Sequence, residues 1–186
     1  FNGVPALNDV SITLLSGRTH ALMGENGAGK STLIKLLAGV INADSMSIFR
    51  DKEPVRITNT IDATSAGFRF IPQELNLVPE ISIAENILLS KHLPTLFGIK
   101  IDWATVYRRA ELALEFLGVT HINVKSQAGV LTSGDKMLVM IASAFVAEQE
   151  ASPYLYVFDE PTAALTDQES AMLFSAMTKL KEKGAA

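Results

Sequence analysis

The sequence contains one glycine-rich stretch that decides its fold, Gly24-Glu25-Asn26-Gly27-Ala28-Gly29-Lys30-Ser31-Thr32. A glycine, four residues and then Gly-Lys-Ser form the pattern of a phosphate-binding loop. The glycines let successive backbone N–H groups point at phosphate oxygens, and the following helix adds the positive end of its dipole. We expect Lys30 to reach the β- and γ-phosphates and Ser31 to ligate Mg²⁺. The alternative is a glycine-rich turn that merely precedes a helix.

The segments on either side of this loop favour the phosphate-binding interpretation. A short apolar run, Thr19 to Met23, predicts a strand that leads into the loop, and Lys30 to Ala38 predicts a helix closed by Gly39. Further upstream, apolar residues alternate with Ser11 and Thr13, which predicts a half-exposed strand of a surface sheet. Strand, loop and helix in this order are the context that the motif requires.

The rest of the chain alternates strands with helices around an all-helical middle. Strands are predicted at 47–49, 68–71 and 154–158, with a small excursion over 51–65. Helices are predicted from residue 81 with a Ser82–Glu85 capping box, from Asp102, over about 134–147, and from Thr166 with Glu169 as a second box. This order predicts an α/β fold with a parallel sheet and a helical insertion at about 75–147.

Two carboxylates follow the last predicted strand. Asp159 and Glu160 come directly after an apolar run, where Mg²⁺ bound at the loop would need an oxygen ligand. Asp159 fits that metal role, and Glu160 could accept a proton from an attacking water as a general base. An Asp-Glu pair taken alone is more often a helix cap or a solvated turn. Together with the loop, the pair favours phosphoryl transfer.

Composition and charge exclude several classes of protein. The chain has 186 residues, the size of a single domain, and no cysteine for disulfides or thiolate chemistry. Its net charge of −4 means that it lacks the excess of positive charge that attracts a nucleic-acid backbone, so we expect no nucleic-acid partner. No apolar stretch approaches the roughly 20 residues that span a bilayer. The absent initiator Met, and the end of the sequence just after the helix-ending pattern at 181–186, lead us to expect a partial domain truncated at both ends.

Three stretches of the sequence resemble one known family. They are Gly24 to Thr32, Gln73 to Glu80 and Glu160 to Thr166. With these motifs the chain resembles the nucleotide-binding domain of an ABC transporter, over nearly its whole length. The resemblance implies a P-loop NTPase core with a helical subdomain and a small N-terminal antiparallel β region. Within the family, the residues of these motifs are similar to those in the first ATPase half of bacterial monosaccharide importers of the ribose, galactose and xylose type.

The resemblance also assigns roles to residues that the pattern alone leaves open. It implies that Gln73 touches Mg²⁺ or the attacking water and senses the membrane subunit, so that it acts in catalysis with Lys30 and Glu160. It implies that Phe1 stacks on adenine, because a flat apolar ring can hold a base face by dispersion. The segment Ala163 to Thr166 corresponds to the family's crossing to the partner domain.

The family's signature segment is matched in part. It falls at Leu131 to Met137, and the resemblance implies that Thr132, Ser133 and Gly134 serve the nucleotide of the opposite domain. Three features of the family's signature are present: the hydroxyl of Thr132, the close backbone approach that Gly134 allows, and the N-terminus of the following helix. Lys136 and Met137, in contrast, stand where the subgroup usually has Gln. A plain helix cap by Thr132 or Ser133 is compatible with this role.

The family's switch histidine has no counterpart in this chain. In the family it follows the last helix, at the end of a strand between the loop strand and the Asp159 strand. We expect the histidines present to be surface or lobe residues without a catalytic role; they are His20, His92 and His121. A sheet that lacks a middle strand leaves unpaired backbone groups, so we expect a longer polypeptide.

The resemblance implies an ATPase that binds ATP and Mg²⁺ and powers monosaccharide import. Its partners would be a second ABC ATPase domain, as a dimer or fused half, a membrane permease and, indirectly, a periplasmic sugar-binding protein. It would be peripheral on the cytoplasmic face of the inner membrane. Two alternatives stay open: an ABC-type ATPase of a non-transport machine, and an ATP-binding module with degenerate hydrolysis.

Overall fold

The computed structural model describes residues 5–72, 76–89, 91, 93–146, 153–162 and 165–186. These residues form two compact units. The first consists of the described residues of Phe1–Phe70, Ala151–Val157 and Leu180–Ala186, and the second of those of Ile71–Glu150 and Phe158–Lys179. No helix within the described residues combines the length and apolar composition that a membrane crossing needs.

The first unit begins with the loop and helix α1, Lys30–Leu37. An antiparallel hairpin follows, with strands β1, Ile48–Arg50, and β2, Glu53–Val55. Helix α2, Thr60–Ser65, is capped by Asn59. The predicted excursion at 51–65 is therefore a hairpin strand and a short helix. A small core cluster of Ile57, Ala63 and Phe68 holds these elements together.

Two strands form a parallel pair. Strand β3, Phe68–Ile71, lies beside β6, Leu155–Phe158. Gly67 O accepts from the Tyr154 amide at 2.9 Å, whereas Ile71 O accepts from Asp159 N at 3.0 Å, so both chains advance together. This is the parallel pairing that the alternating pattern predicts.

The end of the chain returns to β6. The Ala186 amide donates to Tyr154 O and its carbonyl accepts from Tyr156 N, each at 2.9 Å. One residue bonded to both neighbours of Leu155 is the pattern of a parallel ladder. Hydrogen bonds from Gly17 N and Ser16 Oγ to Gly184 O lie in the same unit.

The predicted strands before the loop were wrong. Residues 8–25 contain no strand in the described structure. Their apolar side chains are largely exposed, with Ile12 at 46% and Met23 at 88%. Alternation identifies a potential apolar face, but a strand also requires a neighbour for its backbone groups, and these segments have no ladder with a described strand. The antiparallel pairing of this unit is the β1–β2 hairpin instead.

The second unit is built on three packed helices: α3, Ile83–Leu88, α4, Trp103–Leu117, and α5, Ser133–Phe145. The Ser82–Glu85 box and the Asp102 cap are present as predicted. The predicted apolar faces are buried, including Ile83, Ile87, Leu88, Val106, Ala110, Leu114 and Leu117. Helix α5 begins one residue before the predicted start.

The unit also contains elements that the sequence did not predict. Strands β4, Thr95–Leu96, and β5, Lys100–Ile101, form a short antiparallel hairpin whose turn contains Phe97 and Gly98 at positive φ. A short 3₁₀ turn, Ala128–Val130, precedes α5. Helix α6, Asp167–Glu182, follows the Thr166–Glu169 capping box, which was predicted.

Candidate active site

The lysine of the glycine-rich loop binds the first two residues of that loop. Lys30 Nζ donates to Gly24 O at 2.6 Å and to Glu25 O at 2.9 Å. The Ala28 amide donates to Glu25 O at 3.2 Å, which tightens the same turn. The ammonium is therefore held inside the curl of the loop, where a bound anion would meet it. Ser31, the second residue of α1, is exposed beside it.

The N-terminus of α1 differs from those of the helices that follow. Helices α2, α3, α4 and α5 each begin with a side-chain cap. Helix α1 begins at Gly29, which supplies no side-chain cap, and its first turn contains no acidic residue. Because the first N–H groups of a helix lack intrahelical acceptors, this uncapped end suits an external anion.

Glycine is required at Gly29 for two reasons. Its φ of 88° lies in the left-handed region, and a Cβ built there would be 2.7 Å from Leu7 Cδ2 and 3.0 Å from Ala6 O. Gly27 has a similar φ of 84°, but a Cβ there would meet nothing within 4 Å. Backbone conformation therefore explains Gly27, whereas conformation and space together explain Gly29.

The two carboxylates lie at the end of β6, in the second unit. Asp159 is half-buried, and its amide is bonded to Ile71 O at 3.0 Å. Glu160 is exposed and has a φ of 47°, a value that residues other than glycine rarely adopt. Four other non-glycine residues of the described structure also have positive φ; they are Asp9, Asp51, Lys52 and Phe97.

The signature segment forms the N-terminal turn of α5. The Thr132 hydroxyl accepts from Asp135 N at 3.1 Å and donates to Asp135 Oδ2 at 2.9 Å. His121 Nε2 lies 2.7 Å from the other oxygen of Asp135. Thr132 is therefore the helix cap that the sequence predicts, and a cap is compatible with the role that the resemblance implies. No sequence signal identifies the His121 contact, because His121 lies in the segment after α4 whereas Asp135 lies in the first turn of α5.

Gly134 lies against the carboxylate of Glu169. A Cβ built at Gly134 would be 2.5 Å from Glu169 Oε1 and 3.0 Å from both Cδ and Oε2. The same carboxylate accepts from the amide and hydroxyl of Thr166, at 2.7 and 2.8 Å. The sequence predicts Glu169 as a cap of α6, but it carries no signal for the contact of this side chain with α5.

Several predicted site residues lie outside the described residues: Phe1, Gln73, Ala163 and Ala164. His92 is also outside them. His20 Nε2 accepts from Leu15 N at 2.9 Å, so this imidazole takes part in a local turn. The described residues contain no cluster of three acidic or histidine side chains that could hold a metal by itself.

Comparison with known proteins agrees with these motifs. Residues 7–163 match the ABC transporter family. The ribose import ATP-binding protein of Chromobacterium violaceum is 45% identical over 186 residues, which is 100% of this chain and 36% of that protein. The arabinose import ATP-binding protein of Pectobacterium atrosepticum is 40% identical over 184 residues, 99% of this chain and 35% of that protein.

A solved structure shares the fold. The crystal structure of a nucleotide-free ATP-binding cassette from an ABC transporter superposes with a TM-score of 0.81 at 26% identity, over 100% of this chain and 74% of that one. The fold and motifs are those of a P-loop ATP-binding cassette, and the chain belongs to the ABC transporter family. It spans about a third of the length of the curated relatives it matches.

Proposed function

We propose that this chain is part of the ATP-binding and ATP-hydrolysing subunit of an ABC transporter that imports a monosaccharide. The observation that carries the proposal is the loop that encloses Lys30 Nζ next to the uncapped N-terminus of α1. This arrangement presents an ammonium and free helix N–H donors to one anion, as a nucleotide triphosphate requires.

The loop residues would hold the phosphates of ATP. Lys30 would exchange its bonds to loop carbonyl oxygens for bonds to phosphate oxygens, and the amides of residues 25–31 would bind around them. Phe1 would stack on the adenine base. In this proposal the backbone amides and the Lys30 ammonium share the recognition of the triphosphate.

The donor set fits Mg²⁺. Ser31 would supply a hydroxyl, Asp159 a carboxylate and Gln73 an amide oxygen; all are the oxygen ligands that this hard cation prefers beside phosphates. The ion would neutralise charge on the phosphates when bound. Glu160 would accept the proton of the attacking water, with Gln73 orienting that water.

Two cassettes are needed to complete each site in this proposal. Thr132, Ser133 and Gly134 would bind the nucleotide held by a second ABC ATPase domain, in a dimer or a fused half. The helical subdomain at about 75–147 would contact a membrane permease on the cytoplasmic face of the inner membrane, and a periplasmic sugar-binding protein would deliver the solute. Relatives named for ribose and for arabinose support a monosaccharide without selecting one.

The degenerate-hydrolysis alternative rests on the altered signature and on the switch histidine, which has no counterpart in this chain. Met137, however, is 1% exposed and lies in the core of the second unit. Its side chain therefore contributes to packing rather than to a surface that meets nucleotide. The change at position 137 therefore does not by itself argue for degenerate hydrolysis, and turnover measurements decide between the two.

The test compares ATP binding with ATP turnover in the full-length protein. Wild type should bind ATP and hydrolyse it, whereas Glu160→Gln should keep its ATP affinity and lose about a hundredfold or more in turnover. Glu182→Gln, at the exposed end of α6, is the matched control and should behave as wild type. Wild type that binds but never hydrolyses ATP would support the degenerate module.

Uptake measurements test the transport assignment. Cells that express wild type should accumulate one or more labelled monosaccharides, with ribose, arabinose, galactose and xylose as probes, and cells that express Glu160→Gln should not. ATP hydrolysis without any dependence of sugar uptake on Glu160 would instead point to a non-transport ATPase.

A further inference from the structure

Glycine at position 134 is not explained by its backbone. Its φ is not among the positive values found in this chain, and it lies in the first turn of α5, where any residue could adopt the helical conformation. What prevents a side chain there is space. The Glu169 carboxylate occupies the position that a Cβ would take, 2.5 Å from Oε1.

Glu169 is itself held in place by its own helix. Thr166 donates to Glu169 Oε2 from both its amide and its hydroxyl, and the Glu169 amide returns a bond to Thr166 Oγ1 at 3.3 Å. The first two bonds hold the carboxylate in the first turn of α6, and the third holds the Thr166 hydroxyl that donates to it. The side chain that blocks position 134 is therefore a constrained group, not the free end of a flexible chain.

One carboxylate thus lies at the beginning of two helices. Negative charge is favourable at a helix N-terminus because of the unsatisfied N–H groups and the helix dipole. Glu169 meets this condition in the first turn of α6 and, through its contact with Gly134, in the first turn of α5. The first turns of both helices belong to the second unit.

We propose that Glu169 is a positioning residue that fixes the signature turn, Thr132 to Gly134, against the start of α6. The inference rests on the proposed function, in which this turn binds the nucleotide of the partner domain. In that function Glu160 is the catalytic carboxylate, and the segment that follows it leads into α6. Glu169 would then connect two parts of the cassette. One is the segment that follows the catalytic carboxylate of Glu160, and the other is the signature turn, which completes the site of the opposite domain. It touches neither nucleotide in this arrangement.

The first experiment is a double-mutant cycle on stability in the full-length protein. Gly134→Ala should lower the melting temperature by about 3–10 °C, because the new methyl group meets a constrained carboxylate. Glu169→Ala removes the obstacle, so Gly134→Ala should cost less than about 2 °C in that background. Additive effects of the two substitutions would overturn the contact. Gln168→Ala, an exposed neighbour in the same turn, is the control.

The second experiment separates positioning from packing. ATP affinity and ATP turnover are measured for Glu169→Ala, Glu169→Gln and Gln168→Ala. Glu169→Ala should keep its ATP affinity within about twofold but lose about tenfold in kcat, since the loop is untouched while the opposite site is misaligned. Glu169→Gln keeps the shape and one acceptor oxygen and should recover most of that loss.

Wild-type kcat in Glu169→Ala would overturn the positioning role even if the cycle confirms the contact. Loss of ATP affinity together with kcat would also overturn it, because that result indicates general damage. Failure of the proposed function itself is distinguishable, since wild type would then bind or hydrolyse no ATP while the stability cycle would still report on the Gly134–Glu169 contact.

Discussion

Lys30 Nζ donates a 2.6 Å hydrogen bond to the carbonyl oxygen of Gly24, so the ammonium near the end of the loop is bonded to the first residue of the loop. A second bond to Glu25 O, 2.9 Å long, holds it in the same position. The positive charge is therefore held inside the loop that precedes α1. A phosphate oxygen that bonds to this ammonium would replace these carbonyl oxygens as acceptors.

Replacement of this lysine should weaken ATP binding. Lys30→Met removes a charge-assisted hydrogen bond worth about 1.5–3 kcal/mol, which corresponds to about 10- to 100-fold in affinity. Titration with a fluorescent ATP analogue measures the change. Lys35→Met, on the same helix and exposed, should stay within about twofold of wild type. Equal losses in both variants would contradict a specific role for Lys30.

Two glycines of the loop offer a matched pair. Gly27→Ala should destabilise the protein by about 1–2 kcal/mol, because an L-residue is strained at this positive φ but meets open space. Gly29→Ala carries the same strain and a clash with Leu7, so it should cost about 1–3 kcal/mol more. Urea denaturation gives both values. A larger loss for Gly27→Ala would show that the described loop is wrong.

The cap of α4 should make stability depend on pH. The Thr105 hydroxyl and amide donate to Asp102, and these hydrogen bonds lower the pKa of this carboxyl from 3.8. A lowered folded-state pKa gives a stabilising contribution that is present above pH 3.8 and is lost as the pH falls through the folded value. The stability difference between wild type and Asp102→Asn should therefore shrink in acid.

Thr105→Val tests the cause of that shift. The variant removes the hydroxyl donor while keeping the shape of the side chain, so the pKa of Asp102 should rise toward its ordinary value. Nuclear magnetic resonance titration of the carboxyl carbon reports this directly. An unchanged pKa in Thr105→Val would assign the shift to the backbone donors instead.

Met137 should tolerate an apolar replacement but not the family's usual amide. At 1% exposure, Met137→Leu should cost less than about 1.5 kcal/mol, since volume and polarity are kept. Met137→Gln would bury an amide among apolar side chains and should cost about 1–3 kcal/mol. Thermal unfolding of the two variants gives the comparison. Equal stability of both would show that this position has access to water or to a polar partner.

Local chemistry was readable from the sequence wherever neighbours along the chain interact. The loop pattern predicted the turn before α1, and hydroxyl-to-Glu spacing of three residues predicted the boxes at Ser82 and Thr166. Helical spacing predicted which side chains of α4 are buried, such as Val106 and Leu114. Each of these depends on residues at most a few positions apart, so composition and spacing carry the information.

Pairing between distant segments was not readable in the same way. Alternation suggested strands on either side of Ser16, yet no ladder forms there among the described residues. The β4–β5 hairpin was missed because its turn places Phe97 at positive φ, where sequence patterns expect Gly, Asn or Asp. A strand is defined by its neighbour, and the neighbour is not encoded locally.

The amino-acid sequence by itself determined that this chain has a phosphate-binding loop, two carboxylates after a strand and a helical middle. Only the tertiary structure decided that Gly134 is confined by Glu169 and that His121 contacts Asp135. Covalent spacing sets which groups can meet within one turn. Whether side chains from different elements touch depends on how the helices pack, and that is settled by burial of the whole core rather than by any short pattern.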